Sequence, residues 1–151
     1  MRVLISWIDL MDLKYAEEGR GPVLQALEAI PFDGVILLDN YKNKDRAAQL
    51  EVFRGRVGER PNLCHRHFEV ENPNEHKTIF KIARQVVDEA RAKWREAKLT
   101  FHLSPGTPAM MLAWVLLAPS HGAALIESSA EHGVQKVDLP FEIAAAFLPD
   151  S

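Results

Sequence analysis

The chain has 151 residues, of which 47% are apolar and 26% charged, and a formal net charge of −3. That is the composition of one soluble globular domain, long enough to bury roughly two-thirds of its unfolded surface, and it gives no basic footprint for bulk nucleic acid. The single cysteine, Cys64, excludes an internal disulfide framework, and Asp9, Asp12 and Lys14 bring charge too early for a signal peptide, so a cytoplasmic protein is expected. The longest apolar run, residues 109–118, has about half the length a bilayer crossing needs, and no membrane partner is expected.

Apolar runs alternate with helical patterns along the whole chain. Residues 3–8 read as a strand, 9–21 as a polar loop, and a short helix opens at Pro22 with Val23, Leu24, Leu27 and Ile30 on one face. A second strand is expected at 34–38, then a helix from near Asn43 carrying Ala47, Leu50, Phe53 and Val57 and ending by Gly58 and Pro61. Residues 62–70 read as a third strand. In Asn72-Pro73-Asn74-Glu75 an N-cap candidate is followed by proline at the first helical position and glutamate at the third, predicting a helix to about Glu96. Its buried face should hold Ile79, Ile82 or Ala83, Val86, Ala90 and Trp94.

A fourth strand at 98–103 leads into the turn Ser104-Pro105-Gly106-Thr107-Pro108, and residues 109–117 form a helix so uniformly apolar that it should be covered on most sides. Strands at 123–128 and 134–139, separated by Glu131-His132-Gly133, suit an antiparallel edge hairpin. This alternation predicts an α/β, Rossmann-like three-layer sandwich: a mostly parallel sheet, helices on both faces, and strand order 3-2-1-4-5. Ligands in such sheets bind beyond the carboxyl ends of the strands where the order reverses, so residues 6–12 should face 104–107 across one crevice.

The turn is the strongest candidate site. Thr107 is a good N-cap, Pro108 sits where a missing N–H costs nothing, and Gly106 allows close backbone approach, so unpaired N–H groups and the positive helix end converge where phosphate binds. The alternative is a turn that only connects strand to helix. From the first loop, Trp7 either stacks on a base or packs in the core, Asp9 either accepts from a ribose or base amine or is only solvated, and Lys14 and Arg20 either meet phosphate or are only solvated. No G-x-G-x-x-G follows the first strand and no G-x-x-x-x-G-K-[ST] occurs, so no nicotinamide, flavin or P-loop cofactor is expected. His65 and His67 at i, i+2 offer at most two neighbouring metal ligands, and Ser104 lacks the hydrolase nucleophile elbow. His102 either points into the crevice or is a buried structural histidine.

The strand, the S-P-G-T-P-A-M turn and the apolar helix resemble CARF (CRISPR-associated Rossmann fold) domains, in particular the CARF-like N-terminal sensors of AAA+ transcription activators such as regulators of RNA-repair operons. The resemblance implies a cyclic or linear oligonucleotide second messenger of the cyclic oligoadenylate type, shared across a homodimer. The implied contacts are Ser104, Pro105, Gly106, Thr107 and Met110 of the turn, with Trp7, Ile8 and Asp9 of the first loop. It also implies an AAA+ or nuclease output, which the 151 residues do not include, in a further domain or a partner chain. CARF turns often carry a second glycine and a lysine where this chain has Pro105 and Pro108, which removes an N–H and a cation.

Two further readings remain open. Some CARF proteins cleave their own ligand without metal, and here Ser6, Thr107, Lys14 or Arg20 would supply that chemistry. A protein-association module without nucleotide would instead expose an apolar patch at residues 144–147 or on the helix carrying Met110 and Met111.

Overall fold

The computed structural model describes residues 1–40 and 45–139. Six strands, β1 (Arg2–Trp7), β2 (Gly34–Asp39), β3 (Asn62–His67), β4 (Lys98–His102), β5 (Ala124–Ser129) and β6 (Gly133–Lys136), form one sheet in the order β3-β2-β1-β4-β5-β6. Every neighbouring pair is parallel except the β5–β6 hairpin. β1 and β2 are near-continuous Val/Ile/Leu runs because central parallel strands are covered on both faces, and all but Arg2 of their residues are buried.

The helices are α1 (Leu10–Lys14), α2 (Pro22–Ala29), α3 (Asp45–Val57), α4 (His76–Lys93) and α5 (Pro108–His121). Strand alternation sorts the core in two. Leu4, Val35, Leu37 and Ile126 pack with Leu13, Val23 and Phe53 on one face; Val3, Ile5, Leu99, Phe101 and Leu125 pack with Ile79, Val86, Ala113 and Trp114 on the other. These are the outer layers of an α/β Rossmann-like fold with the expected strand order, extended by the edge hairpin.

Four local expectations need correction. Residues 9–21 are not an open loop: Asp9 caps α1, its carboxylate accepting from the Met11 and Asp12 N–H groups while Asp12 answers the Asp9 N–H, and a 3-10 turn follows at Ala16–Glu18. α4 starts later than Asn72, because that side chain accepts from the Asn74 N–H in a local turn and Glu75 caps the Lys77 and Thr78 N–H groups instead. β3 stops at His67 and β6 at Lys136, short of the periodic run. α5 runs through Pro119 to His121 and is capped by Gly122, whose left-handed φ of 56° lets its N–H reach the Ala118 and Pro119 carbonyls. The helix start expected near Asn43 and the patch expected at 144–147 lie outside the described residues.

Candidate functional site at the carboxyl edge of the sheet

β1 and β4 are adjacent and parallel, so the connections leaving them emerge side by side at the point where the chain reverses its winding direction. Beneath this point runs a buried polar chain in an otherwise apolar layer. The Ser6 hydroxyl lies 2.8 Å from the Trp7 carbonyl and 3.0 Å from His102 Nδ1; His102 Nε2 lies 2.7 Å from Ser128 Oγ. With the ring neutral, only one arrangement makes all three bonds. Ser6 has one proton, which the carbonyl takes, so His102 donates through Nδ1–H and accepts from the Ser128 hydroxyl at Nε2. Burial pushes the imidazole down to about 4, so the ring is neutral at physiological pH, as this scheme requires. The chain continues outward, since the Ser128 N–H donates to Ser104 Oγ at 2.5 Å. His102 is therefore a hydrogen-bonded core histidine that ties the ends of β1, β4 and β5 together.

Above it sits the turn. Gly106 is exposed with φ of 102°, a conformation that side chains avoid, and a Cβ there would overlap the Met110 sulfur. Thr107 caps α5 by accepting from the Met110 N–H at 3.4 Å, while its hydroxyl donates to the Pro73 carbonyl at 2.7 Å and so ties the turn to the approach to α4. Its own N–H is directed at the Met110 sulfur, 3.3 Å away. With Pro105 and Pro108 lacking an N–H, the amides of Ser104, Gly106 and Ala109 are those with no hydrogen-bond partner among the described residues. Fewer donors are thus presented than a helix start without capping would offer. Pro105 and Met110 are buried and support the turn from below.

The first-loop residues take different places. Trp7 is 1% exposed in the core shared with α4 and α5, with no ring face open to a base, and Ile8 is buried on the opposite face. The Asp9 side chain is occupied by its cap, with Oδ1 2.8 Å from the Met11 nitrogen. Lys14 and Arg20 are exposed and flank the same ring, 5.4 and 5.0 Å from the Tyr15 centroid, and Arg20 pairs with Glu18 at 3.2 Å. What the first loop faces is the end of β5 more than the turn itself: a cavity of about 460 Å3 is walled by Met11, Tyr15, Arg20 and Gln25 on one side and Ser128 and Ser129 on the other. The turn joins that cavity through the bond between Ser104 and Ser128.

One buried carboxylate shapes this wall. Asp12 Oδ1 accepts from the Val23 N–H at 2.8 Å, fixing the start of α2 against α1, and desolvation pushes its carboxyl up to about 7. At the far edge His65 and His67 both turn onto Asp39, with His67 Nδ1 2.5 Å from Oδ1 and His65 Nε2 on Oδ2. The two histidines, which by sequence offer at most two neighbouring metal ligands, are thus hydrogen-bonded to a shared carboxylate. Sequence reasoning missed Ser128, Gln25 and Tyr15, because nothing local marks a serine at the end of β5 as the neighbour of a turn two dozen residues earlier. The D-x-x-D of Asp9 and Asp12 did carry a capping signal.

No family model matches the chain, and no curated protein matches it by sequence. Solved structures do share the fold. Csm6 of Enterococcus italicus, solved bound to cyclic hexa-2′-fluoro-hexa-dAMP, superposes with a TM-score of 0.80 over 97% of this chain and 43% of its own, at 16% identity. Can2 of Sulfobacillus thermosulfidooxidans, in complex with cyclic tetra-adenylate, matches with a TM-score of 0.60 over 85% of this chain and 32% of its own, at 16% identity. A type III CRISPR defence DNA nuclease activated by cyclic oligoadenylate matches at 0.58 over 93% and 21%, with 20% identity. The chain therefore spans less than half the length of each of these proteins and shares with them a Rossmann-like domain.

Proposed function

We propose that residues 1–151 form a single CARF-like sensory domain that binds an oligonucleotide second messenger of the cyclic oligoadenylate type and regulates an output domain or partner, in the manner of sensor domains of AAA+ activators or defence nucleases. The observation that carries this reading is the β4–α5 junction. The N–H groups of Ser104, Gly106 and Ala109, without a partner among the described residues, gather at the switch point of the sheet, in a fold shared with proteins solved with cyclic hexanucleotide and cyclic tetra-adenylate. The amides and the start of α5 supply partial positive charge to a phosphodiester without needing a basic surface, in keeping with the net charge of −3. The reading calls for no cofactor, no bulk nucleic acid and no membrane, and places the protein in the cytoplasm.

A homodimer belongs to the proposal. α5 is not covered on all sides: Met111 and Leu112 are 44% and 41% exposed, and Leu112 with Phe80 and Leu116 lines an apolar groove of about 760 Å3 between α4 and α5. Pairing two copies along this groove buries that surface and, because α5 begins at the turn, brings two turns together on a ligand of matching symmetry. The test is a melting shift and calorimetric titration with cyclic tetra- and hexa-adenylate and linear oligoadenylates. A ligand at about a hundred times its Kd stabilises the fold by about 2.7 kcal/mol. Absence of both a shift and a heat of binding across the panel overturns the reading.

A further inference from the structure

Resting on that reading, we infer that the cavity between α1, the start of α2 and the end of β5 is an adenine-reading pocket for one base of the bound oligonucleotide, with Gln25 as its specificity-determining residue. The cavity, about 460 Å3, has room for a nucleoside, and its lining sets the Tyr15 ring and the Met11 side chain beside the polar groups of Gln25, Glu28, Ser128 and Ser129. Tyr15 presents an aromatic face already stacked with the Arg20 guanidinium, 5.0 Å from the ring centroid, and Met11 adds apolar surface opposite the serine wall.

The Gln25 amide has a fixed orientation. Its neighbour is the Ser129 carbonyl at 2.7 Å, which only the NH2 group can satisfy, so Nε2 is the donor there and Oε1 is left as an acceptor without a partner among the described residues. An unpaired acceptor selects a donor: adenine presents its exocyclic N6 amine, whereas hypoxanthine and guanine present a carbonyl at that position. The wall is held in place independently of the ligand. Asp12 anchors the α2 start through Val23, and the Ser129 carbonyl holds Gln25 from the other side. Ser128 belongs to this wall and also bonds Ser104 of the turn, so a phosphate at the turn and a base in the pocket are adjacent positions for one nucleotide.

The test titrates the full chain by calorimetry with cyclic tetra- and hexa-adenylate and with the same rings carrying hypoxanthine for adenine. The wild type is expected to prefer adenine by about tenfold or more, the loss expected when an acceptor faces a carbonyl instead of an amine. Gln25→Met keeps side-chain length and removes the acceptor, so the preference should fall to about unity. Arg20→Ala should weaken both ligands alike and leave the preference intact. If the wild type binds the adenine rings but Gln25→Met keeps their preference with an unchanged melting midpoint, the pocket assignment is overturned while the sensor reading stands. If the wild type binds no ring at all, the sensor reading fails and the pocket with it.

Discussion

The buried His102 makes the acid behaviour of this domain predictable. Its imidazole titrates at 6.5 when unfolded and about 4 when folded, lowered by desolvation, so the folded state binds fewer protons between those values. A depressed folded pKa gives stability that is present above pH 6.5 and lost as pH falls toward 4. Linkage puts the loss at about 2 kcal/mol by about pH 5 and at about 3 kcal/mol once both states are protonated. His102→Gln replaces the ring by an amide that does not titrate. It is destabilised at neutral pH, because Ser6 and Ser128 lose a partner each, but its stability should not carry this slope. Urea unfolding of both proteins at about pH 7.5 and about pH 5 isolates the effect, since every other group contributes equally to each protein and cancels in the difference. The gap between the proteins should narrow by about 2 kcal/mol at the lower pH. A gap that stays constant within about 0.5 kcal/mol would refute both the depressed titration and the neutral-ring hydrogen-bond scheme built on it.

Asp12 is expected to act with the opposite sign: its folded carboxyl is raised from 3.8 to about 7, so the stability it contributes is full below 3.8 and is lost as pH rises to about 7. Asp12→Asn, which retains an acceptor for the Val23 N–H, should therefore gain melting temperature relative to the wild type as pH is raised through that window, read by scanning calorimetry. Thr107→Ala should cost about 1 kcal/mol through the lost cap and also release Pro73, measurable as a lower urea midpoint with earlier hydrogen exchange at the start of α4. Gly106→Val should lower stability and ligand affinity together, because the positive φ and the Met110 sulfur both oppose a side chain. Leu112→Asp should shift sedimentation from dimer to monomer and leave the circular dichroism spectrum intact; a wild type that sediments as a monomer counts against the groove as a dimer surface.

Much of the architecture is written in local pattern. The apolar runs in β1 and β2, the three- and four-residue spacing of Ile79, Ala83, Val86 and Ala90, and the Thr107-Pro108 helix start each follow from short-range sterics and the need to bury apolar surface. Alternation of strand and helix with right-handed crossovers then constrains the sheet order, which is why the β1/β4 switch point and the turn beside it are legible in the sequence. Tertiary packing decided the rest. Whether Trp7 meets a base or the core depends on which sheet face it occupies and what covers that face, and α4 and α5 cover it. His102 owes its neutral ring to burial and its tautomer to Ser6 and Ser128, residues on two other strands brought within 3.0 Å only by sheet pairing. Hydrophobic periodicity specifies elements because it acts along the chain, whereas a hydrogen-bond partner, a burial-shifted pKa or a cavity wall is a property of neighbours in space, and those exist only once the strands have been laid side by side.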